Sequence, residues 1–301
     1  MGWRVAGVLA VAAVLTHGIA LVLHALPHHA PARRAILVAA CGGELLLFAS
    51  VLAPQGALLA SVGAGVFMCH AIAYLVDVHR GTADPAHHGA AVLYLLQFPV
   101  FPAGPLSRFH EFSHQLSRAD VSMGAFSYGV RRIVTGLLKV LAIAGPLDAV
   151  CDRIFALRVT RLSTDIAWLG AISASLEIYF LISGFSDIGI GVGRVLGFRY
   201  QENFRRPYAA DSMREFWRRW NVTLVTWLRD YLSLPVEGFE APTVKKYLLT
   251  IAGFLVIGLW LRTTWHVVPW AIYISTWLAI EAMGFGARLA RFPRSIRHVY
   301  V

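Results

Sequence analysis

The chain has 301 residues, 57% of them hydrophobic and only 15% charged. Soluble domains average about 45–50% apolar and about 25% charged, so a water-soluble globule is excluded and a multi-pass membrane protein is indicated. The formal charge of +10 belongs with membrane lipids rather than nucleic acid, because Lys and Arg collect in cytoplasmic loops beside anionic head groups.

Apolar runs mark the candidate spans in chain order. Residues 3–26 read as a first membrane helix and not a removed signal, since the run exceeds an h-region and no small-residue cleavage site follows. Runs at 35–54 and 57–77 are long enough to cross. The first holds Glu44, for which a buried partner or a water contact is expected. The second holds His70, read as a packed polar residue, and Asp77, read as structural at a span end. The run at 89–104 is short and carries Pro99 and Pro102, which suits a re-entrant or tilted helix packed inside the protein.

A span follows at 132–150, then a long run at 165–196 with room for a span plus a glycine-rich turn, SGFSDIGIGVGRVLG. Asp187 lies in that run. Intramembrane carboxylates are functional by default; pairing with Arg194 or Arg218 and direct catalysis both stay open. The run at 222–236 is again short, and 246–262 and 265–284 are further spans. The tail, ARLARFPRSIRHVYV, is basic and expected on the cytosolic side. Cys41, Cys69 and Cys151 lie far apart, and neither a CxxC nor an HExxH spacing occurs, so no metal or redox cofactor is expected. The pairs His28-His29 and His87-His88 read as solvated turns.

The densest segment is FRYQENFRRPYAADSMREFWRRWNVTLVTWLRDYLSLP, residues 198–235. If MREFWRRWNVTLVTWL is one helix, Phe216, Trp220, Leu224 and Trp227 share a face, with Arg214, Arg218 and Asn221 beside it. Two readings follow: an interfacial basic helix anchored to lipid, or a helix lining a charged pocket. Seven of the nine tryptophans fall between Trp217 and Trp277, more crowding than an interfacial belt explains.

Three blocks, in order, resemble the membrane-bound O-acyltransferase family, in particular its bacterial alginate O-acetylation branch. They are AIAYLVDVHRG (71–81) followed by FPVFPAGPLSRFHEFSHQL (98–116), then YFLISGFSDIGIGVGRVLGFRYQENFRRPY (179–208) with REFWRRWNVTLVTWLRDYLSLP (214–235), and finally GLWLRTTWHVVPWAIY (258–273). The resemblance implies an all-α, polytopic membrane fold with short re-entrant or tilted helices around a tunnel. It implies one membrane domain over 1–301: divergent N-terminal helices to residue 56, a core over 57–285 and a basic cytosolic tail over 286–301. It implies no bound cofactor. An acyl thioester, acetyl-coenzyme A or an acyl carrier, is the donor, and a hydroxyl on a glycan or lipid-linked molecule is the acceptor. A bacterial inner membrane and an extracytoplasmic acyltransferase partner are implied as well.

Two departures qualify it. The family motif has the form GLWHG, with a histidine viewed as the base that takes the hydroxyl proton; here Leu261 and Arg262 follow Gly258-Leu259-Trp260. Leucine cannot accept a proton. A second alignment uses His266, which follows one tryptophan and precedes Trp270 by four. Five extra residues on a straight helix turn a side chain by roughly 140° and advance it about 7.5 Å, so His266 needs a local break, which Pro269 could supply. The other departure is Asn221, where the alginate-like branch usually has a second histidine.

A positioned general base contributes typically about 10²–10⁴-fold, and a neutral imidazole suits that role. The thioester oxygen needs a donor as charge builds on it, which Asn221 or Arg218 could supply. The candidate catalytic residues are therefore His266 and Asn221. The candidate substrate-binding residues are Arg218, Trp217, Trp260, Asp187, Tyr208 and Arg108. The competing reading is a catalytically silent relative, a scaffold or acyl-binding partner, on the strength of Leu261.

Overall fold

The computed structural model describes residues 2–27, 29–52, 58–85, 87–116, 121–234, 243–261 and 267–300. Every regular element among the described residues is helical. In chain order these are α1 (Gly2–Ala25), α2 (Pro31–Leu52), α3 (Leu58–Arg80), α4 (His88–Leu95) and α5 (Phe109–Leu116). Next come α6 (Met123–Leu138), a π-helical turn (Lys139–Ala144), α7 (Gly145–Phe155) and α8 (Thr164–Val195). The last are α9 (Met213–Arg219), α10 (Val222–Leu232), α11 (Val244–Leu261), α12 (Val267–Ile280), α13 (Gly286–Leu289) and α14 (Arg294–Tyr300).

Among the described residues, four helical stretches are long and apolar enough to cross a bilayer: Ala6–Ala25, Met123–Phe155, Thr164–Val195 and Val267–Leu289. The chain is an integral membrane protein with an all-α polytopic fold. Helix α4 has 8 residues and α10 has 11, about 12 and 16 Å at 1.5 Å per residue. Both fall far short of a hydrocarbon core of about 30 Å. Both bury side chains, among them Tyr94 and Leu95 of α4 and Trp227 and Leu228 of α10.

The contacts divide the chain into two compact units. One comprises 98–104 and 118–200, the other comprises 1–97, 105–117 and 201–301. In the smaller unit, α6 runs antiparallel along α8. Glycines set the approach. A Cβ on Gly129 would lie 2.7 Å from the Gly191 carbonyl oxygen, and one on Gly136 would lie 2.5 Å from that of Gly184. The two pairs repeat every seven residues on both helices, so one seam of backbone contact runs along the hairpin. Small residues at such seams let membrane helices meet closely. This corrects one expectation: SGFSDIGIGVG is not a turn but continues α8 as helix to Val195. Glycine costs about 1 kcal/mol against alanine in a helix interior, and here the close packing offsets it.

In the larger unit, α1 and α2 pack against α3. Buried polar groups tie them. Thr16 Oγ1 donates to Glu44 Oε1 at 2.5 Å, and His17 Nδ1 lies 3.0 Å from the Tyr74 hydroxyl. His17 Nε2 lies 2.8 Å from His88 Nδ1, so His88 is not the merely solvated turn residue that its loop position implies. The Arg33 guanidinium is buried and donates to the carbonyl oxygens of Val78 and His79, each at 3.0 Å. An arginine is well placed there, because the last carbonyls of a helix lack intrahelical partners and carry partial negative charge. Aromatic edges pack beneath: Tyr74 and Tyr94 meet Phe109 with ring centroids 4.8 and 5.4 Å apart.

Candidate active site

The RRW segment does not form the single helix that its periodicity suggests. Helix α9 ends at Arg219, Trp220 is extended, and Asn221 is left-handed at φ 40°, ψ 55° before α10 begins at Val222. The shared face of Phe216, Trp220, Leu224 and Trp227 is therefore broken. The cause lies upstream. The backbone at 203–205 pairs with the break, Arg205 N donating to Arg219 O at 2.9 Å and Val222 N to Asn203 O at 2.8 Å. Asn203, 1% exposed, also accepts from the Thr223 hydroxyl. Thr223 Oγ1 in turn accepts from Leu106 N at 2.9 Å. Competing hydrogen bonds outweigh helix propensity, and asparagine is among the few non-glycine residues that tolerate the left-handed region.

The start of α9 is fixed from two sides. The Ser212 hydroxyl accepts from Glu215 N at 3.1 Å, and Glu215 Oε2 accepts from Asp211 N at 2.7 Å, a variant of the capping box. The buried Glu281 carboxylate accepts from Met213 N at 2.7 Å and Arg214 N at 3.1 Å. A carboxylate at a helix N-terminus is favoured by both the free amides and the helix dipole. The Tyr300 hydroxyl donates to Glu281 at 2.9 Å; burial first, and the neighbouring carboxylate second, hold that hydroxyl above its ordinary range, so it stays a donor. Arg294 and Arg297 of α14 reach Asp211 at 3.4 and 3.3 Å. The basic tail thus contains a helix, α14, whose side chains reach Ala210 and Asp211 just before α9 and Glu281 at its cap.

Trp217 sits at the centre of an aromatic cluster. Its ring lies 4.6 Å from Phe254, 5.3 Å from Phe216 and 6.1 Å from Trp270 by centroids. This interior cluster, not a belt at the lipid interface, accounts for part of the tryptophan crowding. Tyr208 lies at its exposed rim, 6.0 Å from Phe216 and 6.4 Å from Trp220. Trp260 is seated against α3: a Cβ on Gly65 would fall 2.1 Å from its Nε1. The indole N–H groups of both Trp217 and Trp260 are buried, with no hydrogen-bond partner among the described residues.

The far end of α10 is pinned to α3. Trp227 Nε1 donates to the Cys69 carbonyl at 3.0 Å, the Tyr231 hydroxyl to Asp77 at 2.9 Å, and Arg80 to the Asp230 carbonyl at 3.1 Å. Burial, with Asp77 second, pushes the Tyr231 hydroxyl well above its ordinary range. Arg108 pairs with the Asp230 carboxylate.

The structure therefore brings Trp217, Arg218, Tyr208 and Asn221 to one end of α10. Arg108 lies at the other end, about 15 Å along the helix axis. Asp187 belongs to the smaller unit, where Arg132 Nε and Lys139 Nζ bond it at 2.9 and 2.6 Å. Ion pairing was one of the two readings open for it, with partners other than Arg194 and Arg218. His266 and Arg262 lie outside the described residues, as does the side chain of Leu261. Glu281 escaped the sequence reading although an isolated carboxylate in an apolar run is a standing signal. Asn203 and Thr223 carried no such signal, because neither is charged and their pairing is purely tertiary.

The profile of MBOAT, the membrane-bound O-acyltransferase family, matches residues 90–297. The chain belongs to the membrane-bound O-acyltransferase family. The broken WRRWN segment, the Glu281 cap and α11–α12 all fall inside the matched region. The chain is 36% identical to the probable alginate O-acetylase AlgI of Azotobacter vinelandii over 242 residues, 80% of this chain and 47% of that protein. It is 31% identical to a peptidoglycan O-acetyltransferase of Helicobacter pylori over 197 residues, 63% of this chain and 36% of the relative. A teichoic acid D-alanyltransferase of Streptococcus thermophilus is 22% identical over 239 residues, 74% of this chain and 57% of the relative. The chain spans about half the length of the alginate O-acetylases it matches.

Proposed function

We propose that the chain moves an acyl group, acetyl in the first instance, from a thioester to a hydroxyl of a glycan or lipid-linked acceptor in a bacterial inner membrane. The donor is acetyl-coenzyme A or an acyl carrier reaching the site from the cytosol, and an extracytoplasmic acyltransferase completes delivery to a polymer. The observation that carries this reading is the hydrogen-bonded break at Trp220–Asn221, inside the family-matched region. Arg218, which is exposed, and Asn221 lie on either side of Trp220 in sequence, next to an aromatic cluster in which the Trp217 N–H has no hydrogen-bond partner among the described residues.

In the reaction the acceptor oxygen attacks the thioester carbon. His266 takes the hydroxyl proton, and Asn221 with Arg218 donates to the carbonyl oxygen as negative charge builds there. The C–S bond breaks, the C–O bond remains, and the departing thiolate takes the proton, so no co-reactant is required. Trp217, Trp260 and Tyr208 shape the apolar wall, and the Trp217 N–H offers one further donor. The reading assigns Asp187 and Arg108 support of the helices that carry them.

A second reading is favoured by two observations: Leu261 stands at the motif histidine's position, and the left-handed backbone alone accounts for an asparagine at 221. It makes the chain a silent acyl-binding or scaffold member. Purified protein in lipid vesicles, given acetyl-coenzyme A labelled in the acetyl group and a soluble oligosaccharide, separates the two. Label on the oligosaccharide that disappears in His266→Ala supports transfer with His266 as base; label unchanged in His266→Ala removes that role; no label above a vesicle blank supports the silent member.

A further inference from the structure

The segment before α9 carries charge that the acyl-transfer reading leaves unused. Arg205 and Arg206 are both exposed. Neither guanidinium has a hydrogen bond or an ion pair among the described residues. Two nearby acids are engaged elsewhere, Asp211 with Arg294 and Arg297 of α14 and Glu215 with Arg219. The two positive charges follow one another in the chain between the end of α8 and the start of α9, outside the four membrane-length stretches. An anion in water or at a headgroup can reach them there.

The backbone holds them beside the candidate site. Arg205 N donates to Arg219 O at 2.9 Å and Val222 N to Asn203 O at 2.8 Å, so residues 203–205 run alongside the break that carries Asn221. Arg206 is left-handed at φ 54°, ψ 63°, a conformation unfavourable for a residue with a Cβ, and it precedes Pro207, where the chain is ordinarily extended. Its carbonyl oxygen accepts from Ala209 N at 3.0 Å and from the Arg219 guanidinium at 3.4 Å. Among the described residues three non-glycine residues are left-handed, and two of them, Arg206 and Asn221, border this pairing. Strain of that kind persists where the surroundings over-determine it, and it gathers at ligand clamps. Glycine would take the same backbone without strain. Arginine brings instead a planar fork of N–H donors that matches phosphate oxygens.

We propose that Arg205 and Arg206 form a subsite for a phosphate ester, the group common to coenzyme A and to the phosphopantetheine arm of an acyl carrier. The choice of a thioester donor rests on the acyl-transfer reading; the anion site itself does not. The subsite holds the phosphate end of the donor while its thioester end meets Asn221 and Arg218.

The test uses the purified full chain in phosphatidylcholine nanodiscs and reads intrinsic tryptophan fluorescence. Trp220 is a near reporter, its ring 5.2 Å by centroids from that of Phe204, the neighbour of Arg205. Phosphopantetheine and pantetheine differ by the phosphate alone. The wild type is expected to bind phosphopantetheine about tenfold more tightly or better, the factor that a hydrogen bond to a charged group supplies, and to lose that preference as salt rises. Arg205→Gln and Arg206→Gln are each expected to lower the affinity for phosphopantetheine about tenfold and to leave that for pantetheine unchanged. Arg206→Gly separates charge from structure: it relieves the left-handed backbone and removes the cation, so it should unfold no earlier than the wild type and still lose the preference. Equal affinity of the wild type for the two compounds, binding of neither, or an undiminished preference in Arg206→Gly overturns the proposal. Displacement of phosphopantetheine by equimolar inorganic phosphate overturns the donor source in favour of a free phosphate, and loss of the preference in phosphatidylglycerol nanodiscs overturns it in favour of a lipid headgroup. The assay does not read acyl transfer, so phosphate-dependent binding by a chain that moves no acyl group upholds the subsite and removes the acyl-transfer reading alone.

Discussion

Asn221 carries two roles that substitution can pull apart. Its backbone is left-handed, a conformation that costs a residue with a Cβ about 1–2 kcal/mol and costs glycine almost nothing. Asparagine reduces that penalty through local hydrogen bonding by its short side chain. Asn221→Ala should therefore destabilise the protein by about 1 kcal/mol, because it keeps the Cβ and loses the compensation. Asn221→Gly should be within a few tenths of a kcal/mol of wild type, since it removes the strain outright. Asn221→His should fold, because histidine too is enriched in this region. Thermal unfolding in detergent, followed by tryptophan fluorescence of the Trp217 cluster, reads the order of stability; labelled acetyl transfer reads the chemistry. The reasoning expects Asn221→Gly to be folded and inactive. An Asn221→Ala protein as stable as Asn221→Gly would refute the conformational argument, and full transfer by Asn221→Gly would remove the amide from the mechanism.

Other parts of the structure make equally direct predictions. Glu281→Ala deletes the carboxylate that accepts from the Met213 and Arg214 amides and from the Tyr300 hydroxyl, and a hydrogen bond to a charged group is worth about 1.5–3 kcal/mol. A loss of about 3 kcal/mol in unfolding free energy is expected, and Glu281→Gln should recover roughly half of it; an unchanged midpoint for the alanine variant contradicts the cap. Thr223→Val keeps the shape but removes the acceptor of Leu106 N and the hydroxyl that donates to Asn203 Oδ1, and a loss of about 1–3 kcal/mol is expected from the same assay. Gly136→Leu would push a Cβ to 2.5 Å from the Gly184 carbonyl oxygen, whereas at Gly42 a Cβ meets nothing within 4 Å. Limited proteolysis should find the Gly136→Leu hairpin open and a Gly42→Ala protein as resistant as wild type; equal resistance in both argues against the glycine seam.

The long helices were legible because an apolar run of about 20 residues suits a helix of membrane-crossing length. The expected runs at 3–26, 35–54 and 246–262 match α1, α2 and α11 within a few residues. Proline-bearing short runs likewise announced α4 and α10. What the sequence concealed is tertiary. MREFWRRWNVTLVTWL has an unbroken helical pattern, and only the strand-like pairing of Asn203–Arg205 with Arg219–Val222 explains why it breaks. SGFSDIGIGVG looks like a turn in isolation, because its glycines acquire a purpose only when Gly129 and Gly136 of another helix arrive opposite them. The helix extends past the 132–150 run at its amino-terminal side: Arg131 and Arg132 interrupt the hydropathy, yet Asp187 lets Arg132 remain in a helix that starts at Met123. The grouping of Trp217, Arg218, Tyr208 and Asn221 was visible from one contiguous segment, and the distance of Arg108 from it was not.

The account turns on thiol release. Purified chain in proteoliposomes is supplied with acetyl-coenzyme A and a glycan acceptor, and free coenzyme A is measured against protein-free vesicles and against Asn221→Gly. Acyl transfer predicts acceptor-dependent release by the wild type and release at the vesicle baseline for the folded variant. Wild-type release indistinguishable from the protein-free vesicles contradicts it.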